Sequence, residues 1–200
     1  MAESRPGVSK PRRIGGDGEP EIFCADEQSE IEIDLPRWQN LALNVLESEG
    51  VRGAAEMTIV FVNELSITEL NEQYMGSPKP TDVLAFPLDA VDAARTPGPG
   101  AMSKGPDRVS LDIAELPLLL GDVVICPSVA AGQAATHAGN LDDEIALLVV
   151  HGMLHVLGAD HDTPEKTKAM RERELVLLET HHWKASAPEN FRQGHQEDDQ

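Results

Sequence analysis

His151-Gly152-Met153-Leu154-His155-Val156-Leu157-Gly158-Ala159-Asp160-His161 is the stretch on which this sequence turns. His151 and His155 stand four apart. On an α-helix that spacing puts both imidazoles on one face, with Cβ atoms roughly 5–6 Å apart, near enough to share one metal ion. Gly158 can adopt a left-handed conformation, end the helix and turn the chain back. His161 then supplies a third nitrogen. Three neutral imidazoles with a fourth position left open are the donor set of a catalytic zinc centre. Such an ion lowers the pKa of a bound water from ~15.7 to about 7. Neither Cys24 nor Cys126 is near in sequence, so a closed structural zinc site is not expected. The plain alternative is three histidines with no metal. A lone HxxxH pair is common by chance; the pair, a turn glycine and a third histidine on an apolar helix are together far rarer. One Zn2+ per chain, on His151, His155 and His161, is the expectation.

Working outward, Asp142, Asp143 and Glu144 suit a helix N-terminus. The residues that follow are apolar on all sides, which predicts a buried central helix ending at Gly158. Thr163-Pro164 opens a last helix reaching about His182. Upstream, residues 21–25, 57–62, 81–86 and 121–126 read as strands. Helices are predicted over 36–49 behind Asp34, over 66–74 behind a Ser66-x-x-Glu69 capping box, and over 128–137 behind Pro127. There is no repeated βαβ rhythm. The fold class is α+β: a small mixed sheet covered by helices around a metal-binding central helix. The domain spans 19–187. Residues 1–18 read as a disordered tail, 188–200 as a disordered acidic tail, and 89–108, rich in proline and glycine, as a surface loop insertion.

The chain has 200 residues, 16 basic and 35 acidic, for a net charge of −19. That excludes a protein whose whole surface binds nucleic acid, and a basic face on an anionic membrane. No apolar run approaches the ~18 residues of a membrane span, and no signal peptide is visible. Two cysteines do not make a disulfide scaffold, and they fit a reducing compartment. A cytoplasmic protein without a membrane partner is expected. The acidity is uneven: residues 15–50 hold one basic and ten acidic residues, whereas 151–188 hold five and six. The second region is the least hostile to a polyanion, although its cations also read as an ordinary solvated helix face.

The pattern HxxxHxxGxxH resembles that of zinc metalloproteases, which carry a glutamate directly after the first histidine as general base. Here that position is Gly152, so peptide hydrolysis lacks its base. Glycine inside a helix costs ~1 kcal/mol against alanine, tolerable where substrate or backbone must approach the metal. Two further stretches, Pro80-Thr81-Asp82-Val83-Leu84-Ala85-Phe86-Pro87 and Gly121-Asp122-Val123-Val124-Ile125-Cys126, precede HGMLHVLGADH in this order. Together the three are similar to the YbeY family of bacterial rRNA-maturation endoribonucleases, over roughly residues 20–182. The resemblance implies a zincin-like α+β fold and one catalytic zinc on His151, His155 and His161. It implies cleavage of single-stranded RNA, 16S rRNA 3′-end maturation and small-subunit quality control. The implied partners are rRNA and the small ribosomal subunit, with a ribosomal protein or an assembly GTPase. Many members have arginine where Met75 follows Tyr74, and serine where Ala85 stands. A phosphate-holding cation is thus missing from position 75, and Lys79 or Arg108 are the substitutes at hand.

Among the remaining residues, Asp160 and Asp162 flank the third histidine, and each is either an imidazole-orienting partner or a turn cap. Asp82 and Asp122 read as structural. No general base is evident. His181 and His182 suit a helix C-terminus or solvent. Lys79, Arg108, Lys166, Lys168, Arg171 and Arg173 are the RNA-contact candidates. A reading from another class keeps the zinc: a non-catalytic ribosome-assembly factor that uses the ion to hold its fold.

Overall fold

A computed structural model describes residues 12–14, 18–88 and 117–193. Five strands form one mixed sheet: β1 (Arg12–Ile14), β2 (Glu21–Asp26), β3 (Ala55–Phe61), β4 (Val83–Pro87) and β5 (Leu118–Ile125), in the order β1-β2-β3-β5-β4. The three inner strands run parallel, and β1 and β4 close the edges antiparallel. Parallel strands need cover on both faces. In β3, Ala55, Met57, Ile59 and Phe61 alternate into the main core. On the other face a smaller cluster gathers Val62, Ile67, Leu84, Val124 and Cys126.

The helices are α1 (Leu35–Ser48), α2 (Glu64–Met75), α3 (Pro127–Gln133), α4 (Leu141–Val156) and α5 (Pro164–Leu178), the last running into a π-helical turn over Glu179–Trp183. The main core forms where α1 and α4 meet the sheet. Helix α1 contributes Trp38, Leu41, Ala42, Val45 and Leu46. Helix α4 is buried almost throughout, from Asp143 to Leu154, as a helix apolar on all sides must be. Gly152 explains how it comes so close to the sheet. A Cβ there would lie 2.5 Å from Val123 Cγ1 of β5 and 3.3 Å from Val83 Cγ2 of β4. The close approach seen at Gly152 is made by strand side chains.

Several boundaries differ from the sequence reading. Residues 12–14, assigned to a disordered tail, pair with β2. Helix α2 starts before the expected capping box, because Asn63 caps it through Oδ1 accepting from Ser66 N–H at 2.9 Å. At the other end, residues 188–193 pack instead of trailing. Phe191 is buried, edge-on to Trp183 at 4.7 Å between ring centroids. One inserted aromatic ring outweighs the polar composition around it. The 89–108 loop, and the parts of both tails at 1–11, 15–17 and 194–200, lie outside the described residues. Among the described residues no helix is long and apolar enough to cross a membrane.

Candidate metal centre

The centre sits at the C-terminal end of α4. That helix opens on Asn140, whose Oδ1 accepts from Asp143 N–H at 2.9 Å, with three acidic residues in its first turn. It closes where Gly158 takes φ +91°. The reversal is held by Gly158 N–H donating to His155 O at 2.9 Å and Ala159 N–H to Leu154 O at 2.8 Å. His161 is thereby returned to the two helical histidines. One ligand nitrogen from each of His151, His155 and His161 lies within 4.8 Å of the other two, so the trio could hold a metal ion. His151 is 5% exposed; the other two are partly open.

The outer ring nitrogens decide the chemistry of the inner ones. His155 Nδ1 lies 3.1 Å from the carbonyl of Ala159. A carbonyl only accepts, so Nδ1 carries the proton and Nε2 of the neutral ring is a bare lone pair. His151 Nδ1 lies 2.7 Å from Glu174 Oε1, and both groups are buried. Donation to that carboxylate likewise leaves Nε2 bare. The two Nε2 atoms face each other at 3.1 Å. Two lone pairs at that separation repel unless a cation lies between them. A tetrahedral ion with Zn–N bonds of about 2.0–2.1 Å sets its ligand nitrogens about 3.3 Å apart. Burial, and then the charge of His161, hold His155 below the usual histidine range, which keeps it unprotonated for ligation. The donor set and its tautomers fit a divalent ion.

The histidines open into a cleft of about 400 Å3, walled also by Met75, Val83, Ala85 and Gly152. Among the described residues no carboxylate lines it. A second cleft of about 590 Å3 shares His161, with Asp162, Lys168, Arg171, Glu172 and Gln193 in its wall.

Asp160 and Asp162 take the turn and ion-pair roles. Both grip Lys166, at 3.2 and 2.7 Å, and Asp160 Oδ1 caps His161 N–H at 2.8 Å. The orienting carboxylate is Glu174, which the sequence reading missed. Its signal was a glutamate in the apolar row Met170, Leu177 and Leu178 of α5, where it is 1% exposed. His182 is also not a solvent residue. Its Nε2 meets Asp143 Oδ1 at 2.6 Å, and the same oxygen accepts from Trp183 Nε1 at 2.8 Å. Asp82 is structural: Oδ1 accepts from Val83 N–H at 2.8 Å, and Oδ2 from Gln133 Nε2. Of the RNA-contact candidates, Lys168 and Arg171 border the second cleft, while Lys166 is clamped by the two aspartates. Arg173 ties α5 to α1 through Glu49 at 2.6 Å. Lys79 lines neither cleft, and Arg108 lies outside the described residues.

Fold and site together define an α+β protein with a three-histidine centre at the end of a buried helix. Comparison with known proteins gives the family. Residues 23–182 match the model of Endoribonuclease YbeY, and the chain belongs to that family. An endoribonuclease YbeY of Salinispora tropica is 40% identical over 151 residues, covering 76% of this chain and 90% of that protein. That of Beutenbergia cavernae is 37% identical over 153 residues, 76% and 92%. That of Mycolicibacterium paratuberculosis is 34% identical over 171 residues, 86% and 88%. A solution structure from Thermotoga maritima, 21% identical, matches 84% of this chain and 98% of its own with a TM-score of 0.46.

Proposed function

We propose that this protein is a metal-dependent endoribonuclease holding one zinc ion on His151, His155 and His161. We assign it to the cytoplasm, with single-stranded rRNA in the small ribosomal subunit as substrate, in 16S rRNA 3′-end maturation and quality control. A ribosomal protein or an assembly GTPase is the proposed protein partner. The observation that carries the reading is the pair of bare Nε2 atoms facing each other at 3.1 Å at the head of an open cleft. Membership of a family described as endoribonucleases supports the choice of RNA.

A divalent ion held by His151, His155 and His161 would supply Lewis-acid chemistry for a phosphoryl oxygen and for water. The chain's own residues prepare the place. Ala159 O and Glu174 keep the Nδ1 protons outside, so the inner nitrogens stay basic. Val83, Ala85 and Met75 give the cleft an apolar wall. Lys168 and Arg171, in the cleft that shares His161, are the cations we assign to a flanking phosphate, beside the carboxylates of Asp162 and Glu172.

The cleft's lack of a carboxylate favours a second reading, the non-catalytic assembly factor that binds zinc for stability. One experiment separates the two. Zinc-loaded protein is given a single-stranded RNA spanning the 3′ end of 16S rRNA, beside a folded His155→Ala variant. Cleavage by the first and not the second supports the nuclease. Metal binding without cleavage, on naked RNA and on small subunits alike, supports the assembly factor.

A further inference from the structure

Glu174 is fixed at both oxygens. Oε1 takes His151 Nδ1, while Oε2 accepts from Gln193 Nε2 at 2.9 Å; the same amide nitrogen donates to the carbonyl of Arg171 at 2.7 Å. The terminal torsion of a glutamate is broad and roughly two-fold. A carboxylate bound at one oxygen can swing, and its histidine can swing with it. Pinning the second oxygen fixes the carboxylate plane, and with it the imidazole.

Gln193 lies beyond residues 23–182, the stretch matched by the family model. It is delivered by a segment clamped at several points. Phe191 fills a core position against Trp183. Phe191 N–H donates to Pro188 O at 3.0 Å, and Arg192 N–H to His137 O at 2.9 Å. Gly139, at φ +94°, makes room for Asn190, whose Nδ2 would lie 2.1 Å from any Cβ there. The 134–140 turn ahead of α4 is thus shaped to receive this segment.

We propose that residues 188–193 form a C-terminal strap that completes the metal centre, with Gln193 as a positioning residue that locks His151 in its Nδ1–H tautomer through Glu174. This rests on the metal reading above.

The test compares the full chain with Gln193→Leu and Glu174→Gln. Nitrogen-15 NMR of the metal-free proteins, above the usual histidine range, reports the His151 tautomer. Chelator competition with zinc alone reports affinity, and thermal unfolding verifies that each variant is folded. The wild type should show the Nδ1–H form only. Gln193→Leu should show mixed tautomers and about fivefold weaker zinc binding, the worth of one hydrogen bond. Glu174→Gln should lose roughly 10- to 100-fold. A folded Gln193→Leu protein with an unmixed tautomer and unchanged zinc affinity overturns the strap. RNA cleavage is not a readout, so a protein that passes these tests and cuts no RNA sinks the nuclease reading alone. A wild type that takes up no zinc sinks the metal assignment, and the tautomer comparison still decides the strap.

Discussion

Changing Gly152 to alanine tests why the metalloprotease glutamate has no place in this helix. The new Cβ would lie 2.5 Å from Val123 Cγ1 and 3.3 Å from Val123 Cγ2. Both methyls of that valine face the site, so rotating χ1 does not clear it, and β-branched side chains are stiff there. Val123 is fully buried on β5, between β3 and β4. Overpacking of this kind costs about 1–3 kcal/mol. Alanine returns ~1 kcal/mol of helix propensity. With two stiff, buried neighbours the upper half of the range applies, which leaves a net loss of about 1–2 kcal/mol. For a domain of this size that lowers Tm by roughly 2–8 °C.

Val123→Ala alone should cost about 2 kcal/mol through the methyls it deletes. In the Gly152→Ala background it should cost far less, because the added methyl occupies the space. The expected coupling is therefore about 1–2 kcal/mol in the compensating direction. Urea unfolding of the four proteins with excess chelator measures this without metal binding in the balance. If Gly152→Ala is instead stabilised by ~1 kcal/mol and the two changes simply add, the packing argument is wrong. Glycine would then be serving access to the metal.

Elemental analysis should find about one zinc per chain, and none in folded His151→Ala or His155→Ala. Cys24 is buried and its thiol is pushed up to about 12, so iodoacetamide at pH 8 should modify it only as fast as the chain unfolds. Burial raises Glu144 above its ordinary 4.5. The folded chain therefore binds the extra proton in the window just above pH 4.5, and this group's contribution to stability rises as pH falls through that window. Urea midpoints at pH 7 and pH 5 should show that component in the wild type and its absence in Glu144→Gln. Binding to single-stranded RNA should weaken with salt at a log–log slope shallower than about −3, at about −0.7 per phosphate contact. A steeper slope means a basic groove not found among the described residues.

The centre was legible where its information is local. A four-residue repeat on an all-apolar helix, a glycine and one more histidine lie within a single turn-and-a-bend of chain, and their geometry follows from helix periodicity. The partner of Glu174 was not legible, because the carboxylate reaches His151 from 23 positions away and only its place in an apolar row marked it. A buried carboxylate on a helix otherwise rich in surface charge looks like one more solvated acid. The edge strand β1 and the strap were hidden for a related reason. Their composition is that of a tail, and the outcome depends on a ladder to β2 and on one ring, Phe191, entering the core. Caps fell between these extremes. Asn140 and Thr163 cap their helices near where polarity placed them, while Asn63 displaced a plausible capping box by offering the better-placed oxygen.

Charge sets the final constraint on how such a site can work. At −19 the molecule repels RNA at distance, and beyond ~8 Å that repulsion is screened at physiological salt. Attraction has to be local, and the structure has already committed much of what is available. Lys166 is held between Asp160 and Asp162, Arg173 serves the α1 contact, and Met75 puts a thioether in the cleft wall. Lys168 and Arg171 border the cleft that shares His161, beside Asp162 and Glu172, and Lys168 pairs with Glu172 at 3.7 Å. A divalent ion on three neutral imidazoles keeps its full charge, since none of its protein ligands is an anion. Within the described residues it would therefore be the strongest positive charge facing the cleft. An ion held by His151, His155 and His161 would under this proposal supply the positive charge for both nucleophile activation and phosphate capture. Loss of metal should then abolish RNA binding at the cleft together with cleavage, rather than leaving bound, uncut RNA.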